Sequence, residues 1–202
     1  MTAPADTVSS TRRRADALRS IELITHAACS MLGERPDASM EDLAAAAGVT
    51  RQTVYAHFPS RDALIAAVFR SIAAEALAAI HDANLDALAP PAALHRFLDI
   101  SDQLVGRYPI MLQPTVVRIG ASADGDPHEP FAAVLERLTK RGQRSGDFDR
   151  DLPAQWLVSA TLGLSHAAAE QVVAGHLTQP RAAKILKQSV LRLYGLGSTT
   201  AT

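Results

Sequence analysis

Eight hydrogen-bonding side chains are concentrated between positions 50 and 61: Thr50, Arg51, Gln52, Thr53, Tyr55, His57, Ser60 and Arg61. Arginine and glutamine can make paired hydrogen bonds to the edges of guanine and adenine respectively. Threonine and tyrosine hydroxyls suit phosphate oxygens, and the threonine methyl also suits that of thymine. Such a cluster implies recognition of a nucleic-acid duplex rather than bond-making chemistry. Candidates for acid–base work exist in His95, Asp99 and His166. They are accompanied by no nucleophile elbow, no glycine-rich phosphate loop and no paired metal motif, so an enzyme is not expected. His166 and Glu170 stand four apart, a helical spacing that can hold a metal. No third ligand is evident, so neither a metal nor a cofactor is expected.

The cluster needs elements to hold it outward, and the flanking sequence supplies them. Ser39, followed three residues later by Asp42, forms a capping-box pattern that starts one short helix. Gly48 suits the left-handed turn that ends it. Thr50 can cap a second short helix through its side-chain oxygen. Leu43, Ala47, Val49 and Val54 can form a small core shared by the two helices, while Ala44 is small where they cross. Two helices joined by a tight glycine turn make a helix-turn-helix. The second helix is too short to be stable alone, so the first helix and Phe58 must brace it. Ser60 can cap the next helix, whose free amides and Arg61 would face a phosphate.

From Ala44 to Leu64 the pattern Ala-x-x-x-Gly-Val-x-x-x-Thr-Val-Tyr-x-His-Phe-x-Ser-Arg-Asp-Ala-Leu resembles the signature segment of TetR-family transcriptional regulators. That resemblance implies bases or adjoining backbone for Arg51, Gln52 and Thr53, and phosphates for Tyr55, His57 and Arg61. It covers roughly residues 15–70; beyond that only the helical pattern corresponds. The family more often has lysine where Arg61 stands, which preserves charge but alters hydrogen-bond geometry.

The remaining chain is globular in composition. Of 202 residues, 48% are hydrophobic and 20% charged, far from a disordered profile. Net charge is −1, and residues 1–70 balance eight arginines against eight acids, so DNA attraction must come from local arrangement. Glu41 and Asp42 lie near the expected DNA surface and read as first-turn acids that satisfy a helix dipole. Arg12, Arg13 and Arg14 read equally as a basic arm or a frayed terminus. No membrane span or secretory leader is evident, and the lone Cys29 excludes an internal disulfide. A cytoplasmic location is therefore expected, with Cys29 a small buried apolar group.

Apolar spacing is helical almost throughout, with Ala17, Ile21, Ile24, Ala28 and Met31 marking one face of the first helix. The pattern predicts an all-α fold of about nine helices. A three-helix DNA-binding domain would occupy residues 1–70, and an effector-binding and dimerisation domain residues 71–202. A long helix from about Arg61 to Asn84 would cross the boundary. Gly120 to Pro130 reads as a loop, and Pro114 as a bend. Phe97, Leu104, Tyr108, Met111, Phe131 and Trp156 could line a cavity for an apolar or aromatic effector, with Gln103, Gln113 and His166 as polar contacts. An ordinary packed core explains any one of them as well. The last two helices are apolar enough to pair with a second copy in a four-helix bundle, though burial within one chain is an alternative. Such a dimer would set two recognition helices on one face of a palindromic operator. The resemblance thus implies a regulator, most often a repressor, that a small effector releases. A constitutive DNA-binding dimer, or an enzyme using the helical cavity, is the alternative.

Overall fold

The computed structural model describes residues 5–113 and 129–197, with side chains from Arg14 onward. The side chains of Arg12 and Arg13, together with Pro114 and most of the Gly120–Pro130 loop, lie outside what is described. The described residues form eight α-helices and two single 3-10 turns, with no strand. In chain order the helices are α1 (Ala5–Glu34), α2 (Met40–Ala46), α3 (Arg51–His57), α4 (Arg61–Asp82), α5 (Pro90–Arg107), α6 (Glu129–Ser145), α7 (Ala154–Val173) and α8 (Gln179–Leu193). The turns are Leu85–Ala87, after α4, and Pro109–Leu112, after α5.

Buried apolar residues gather in two clusters. The first takes Ile24, Ala28 and Leu32 from α1, Leu43 from α2, Val54 from α3, and Leu64 to Ile72 from α4. The second takes Ala76 and Ile80 from the far half of α4, with Leu94, Phe97, Leu135, Leu157, Val190 and Tyr194. Helix α4 thus belongs to both. By length and composition Arg61–Ala87 would pass for a membrane span. The burial of Leu64, Ile65, Val68, Phe69, Ile72, Ala76 and Ile80 gives it the character of a core helix instead.

The second link between the clusters is not a helix. Ile110, in the turn that follows α5, is fully buried, and it belongs to the first cluster. The turn sits against the end of α1 so closely that a Cβ on Gly33 would lie 3.1 Å from the Ile110 nitrogen and 3.2 Å from the Pro109 Cβ. Gln113 Nε2 donates to the Gly33 carbonyl at 3.3 Å. One residue earlier, the Tyr108 hydroxyl donates to Glu75 of α4, which also pairs with Arg107. Residues 107–113 are therefore fastened to both α1 and α4.

Deeper in the second cluster, Tyr194 is wholly buried and its hydroxyl lies 3.2 Å from Thr139 Oγ1 and 3.5 Å from Thr161 Oγ1. The three hydroxyls join α6, α7 and the end of α8. Burial pushes the tyrosine pKa up, against the pull of the two threonine hydrogen bonds. Phe148 meets Tyr194 edge to face, with centroids 5.1 Å apart, and its ring also covers Gly142. Two polar contacts fasten α8 to α5: Lys187 to Asp99 at 2.5 Å, and Gln179 Nε2 to Asp102 Oδ1 at 3.0 Å.

Candidate nucleic-acid interface

The Ser39–Asp42 capping box forms in full. The Asp42 amide donates to Ser39 Oγ at 3.2 Å, while the Ser39 amide and hydroxyl donate to Asp42 Oδ2 at 2.9 and 2.6 Å. These hydrogen bonds, the side-chain one foremost, hold the Asp42 carboxyl below the usual range. Its charge is thus engaged locally, whereas Glu41 is exposed. Helix α2 ends at Gly48 with φ of +67°, a left-handed conformation that a side chain would strain. Thr50 then caps α3 by accepting from the Thr53 amide at 3.1 Å, and the two threonine hydroxyls are 2.8 Å apart.

Behind α3, Val54 and Leu43 are completely buried, and Ala47 and Val49 pack against the same cluster. Burying the two larger side chains contributes about 1.5–3 kcal/mol each, enough to hold a two-turn helix that could not persist alone. The opposite face carries Arg51, Gln52 and Tyr55, all exposed, with Thr53 and His57 half-buried at its flanks. The Arg51 guanidinium lies over the Tyr55 ring, 5.4 Å from its centroid. Sequence reasoning missed Ala56, which is also exposed in the middle of this face. The methyl of so small a residue lets a helix approach base edges closely and can meet a thymine methyl. Its signal was available, because Ala56 falls four residues after Gln52 on the same line of the helix.

Ser60 caps α4 as expected, accepting from the Ala63 amide at 3.1 Å. Arg61 departs from the expectation of a free phosphate ligand. Its Nε donates to the Ala38 carbonyl at 3.1 Å, and a terminal nitrogen donates to the Pro36 carbonyl. The guanidinium therefore braces the loop between α1 and α2. That contact spans more than twenty residues of chain, which local pattern reading does not reach.

The nine residues proposed for an effector cavity are brought together only in part. Phe97 and Leu104 are buried in the second cluster, and Tyr108, Met111 and Phe131 pack against it. Gln113 turns instead to Gly33 of α1. Gln103 and His166 are exposed, as is Trp156, at 61%. For α7 the reason is rotational. Leu157, Val158 and Thr161 define the inner face, which at 100° per residue turns Trp156 and His166 outward. Leu157 and Thr161 are thereby covered within the chain, the alternative that the sequence left open for this helix. Trp156, Ser159, Gly163, Ala167 and Glu170 form the outward stripe.

A cleft of about 710 Å³ opens where the end of α4 and the following turn meet α6. Leu77, Ile80, His81, Asp86, Val134 and Arg137 line it, together with four others, none of them among those nine. His95, Asp99 and His166 do not line it either, and Asp99 is paired with Lys187. Among the described residues, no group of three or more His, Cys, Asp or Glu side chains could hold a metal. Cys29 is buried, and burial, with a lesser contribution from Glu75, pushes its pKa up to about 11.

A short helix braced from behind, with polar side chains turned to solvent, has the geometry of a helix-turn-helix. Residues 24–68 match the family described as bacterial regulatory proteins, tetR family. No curated protein sequence matches the chain. Solved structures share the fold along most of its length. The fatty acid degradation regulator FadR from Bacillus halodurans is similar at TM-score 0.72 and 16% identity, over 90% of this chain and 97% of that one. FadR from Bacillus subtilis in complex with stearoyl-CoA gives TM-score 0.71 and 15% identity, over 88% and 99%. The TetR-like regulator LfrR from Mycobacterium smegmatis in complex with proflavine gives 0.62 and 24%, over 85% and 94%. The match covers residues 24–68, the helix-turn-helix segment, and the chain as a whole shares the fold of those solved structures.

Proposed function

We propose that this protein is a one-component transcription regulator, acting as a repressor, that binds palindromic operator DNA as a cytoplasmic homodimer and is released by a small apolar or aromatic effector. The observation that carries the reading is the outward presentation of Arg51, Gln52, Tyr55 and Ala56 on a helix anchored by Val54. In this reading Arg51, Gln52 and Thr53 meet bases or adjoining backbone. Tyr55 and His57 meet phosphates, with Thr50 and Ser60 at the helix starts. Arg61 serves chiefly by keeping the α1–α2 loop in place.

Residues 1–70 form the DNA-binding part and 71–202 the sensing and dimerising part, a division supported by the two apolar clusters. Trp156, Val173 and Ile185, exposed on α7 and α8, support pairing with a second copy there. The effector class draws support from neighbours of similar fold in complex with proflavine and stearoyl-CoA. An effector held by the second cluster would tilt α4 and shift the turn that carries Ile110, changing the spacing of two recognition helices. A 10- to 100-fold change in DNA affinity requires about 1.4–2.8 kcal/mol of differential binding between the two states. No enzymatic step belongs to this reading. The rival is a dimer that binds DNA constitutively, favoured by the scattering of Gln103, Trp156 and His166 away from one cavity.

The test is a mobility shift of the full chain against the upstream regions of its own and adjacent genes, across a range of salt. A saturable, sequence-dependent shift is expected, with relaxed base preference in Arg51→Ala. Absence of any such shift removes the DNA-binding claim. An effector response would appear as thermal stabilisation by an apolar compound together with loss of the shift.

A further inference from the structure

Two of the exposed side chains on α3 are held together in the free protein. Arg51 and Tyr55 lie four residues apart, on one line of the helix surface. The Arg51 guanidinium carbon is 5.4 Å from the centre of the Tyr55 ring, within the range where a cation is attracted to an aromatic face. Both residues are exposed, so no other element packs them into this arrangement. Among the described residues, Arg51 makes neither an ion pair nor a side-chain hydrogen bond, which leaves its whole donor fork available. Nearby, Thr53 has its hydroxyl against that of Thr50, so it is less free to read.

We propose that the Tyr55 ring is a positioning element for Arg51, and that it sets the base preference of α3 through the ring rather than through its hydroxyl. This rests on the DNA-binding reading above. A free arginine on a helix surface samples many rotamers, and its guanidinium reaches phosphate oxygens as readily as base edges. Drawn towards the ring, the guanidinium samples fewer positions and stays over the exposed face of α3. That suits the paired acceptors O6 and N7 of guanine and disfavours a drift to phosphate. The tyrosine hydroxyl has a separate task, a hydrogen bond to phosphate that is the same for every sequence. Ring and hydroxyl therefore make separable contributions, one to discrimination and one to affinity.

The experiment uses the full chain and duplexes selected from a randomised pool by the wild type. The position whose preference Arg51→Ala abolishes is identified first. The ratio of dissociation constants for preferred and substituted base is then measured for wild type, Tyr55→Phe and Tyr55→Leu. Tyr55→Phe is expected to keep the ratio while weakening binding to all sequences alike. Tyr55→Leu is expected to lower the ratio by about 2- to 5-fold, equivalent to the roughly 0.5–1 kcal/mol of an exposed cation–π contact. In the free protein, the NMR signals of the Arg51 Cδ and Nε protons should be ring-shifted in wild type and Tyr55→Phe, and unshifted in Tyr55→Leu. Because Tyr55 is 41% exposed, neither variant removes a core residue. The proposal is overturned if Tyr55→Leu keeps the wild-type ratio, if Tyr55→Phe loses it, or if the ring shift is missing in wild type. A wild type that enriches no sequence overturns the DNA-binding reading itself, an outcome seen before any variant is made.

Discussion

Replacing Ile110 with alanine probes whether the turn after α5 is part of the first apolar cluster. The side chain is fully buried, and although it arises beyond α5 it packs among Leu32, Leu64, Val68 and the other residues of the first cluster. Truncation deletes three carbons, worth roughly 0.8 kcal/mol each in transfer free energy, or about 2.4 kcal/mol together. The cavity that remains adds to this, because Pro109 is held against Gly33 and Gln113 is bonded to its carbonyl, so the turn cannot easily sink inward. The total expected is about 3–4 kcal/mol, within the usual range for aliphatic truncation to alanine. Urea unfolding at fixed protein concentration measures it, with Leu18→Ala, 57% exposed, as a surface control expected to lose less than about 1 kcal/mol. Amide exchange supplies the decisive pattern. Protection should fall along α1 to α4 as well as around residues 108–113, since one core is being opened. A loss below about 1 kcal/mol, or an exchange change confined to the turn, would refute the claim that Ile110 completes that core.

Cys29 should resist alkylation at pH 8 in the folded protein and react fully once unfolded, because its pKa is raised from 9.0 to about 11. The sign follows from the neutral thiol being the form that folding favours. Its contribution to stability is complete below pH 9 and is lost between pH 9 and 11, as a thiol titration alongside unfolding would reveal. Gly142→Ala places a Cβ 2.2 Å from the Phe148 ring. It should lower stability by about 1–3 kcal/mol, read as a drop in melting temperature, unless Phe148 is also reduced in size.

The site was legible wherever its signals are local. Ser39 with Asp42, the left-handed Gly48 and the Thr50 cap each depend on residues within three or four positions, and each forms as the pattern implies. Periodicity likewise identified Val54 as the inward anchor and its neighbours as outward. What pattern reading missed depends on long-range contact. Nothing near Arg61 announces that its partners are the carbonyls of Pro36 and Ala38. Nothing near Ile110 announces that it serves the other cluster. On α7, apolar richness surrounds the helix, so composition could not say which face turns inward. Leu157 and Thr161, on a helix expected to pair with a second copy, prove to be covered within the chain.

The seating of Ile110 beside Gly33 bears on how this protein could be re-engineered. A chimaera that joins its helix-turn-helix part to a foreign C-terminal domain, cut at α4 alone, would leave an unfilled hole beneath α1. The graft would need to carry the segment around Ile110, or an equivalent plug, so the transplantable unit is discontinuous in sequence.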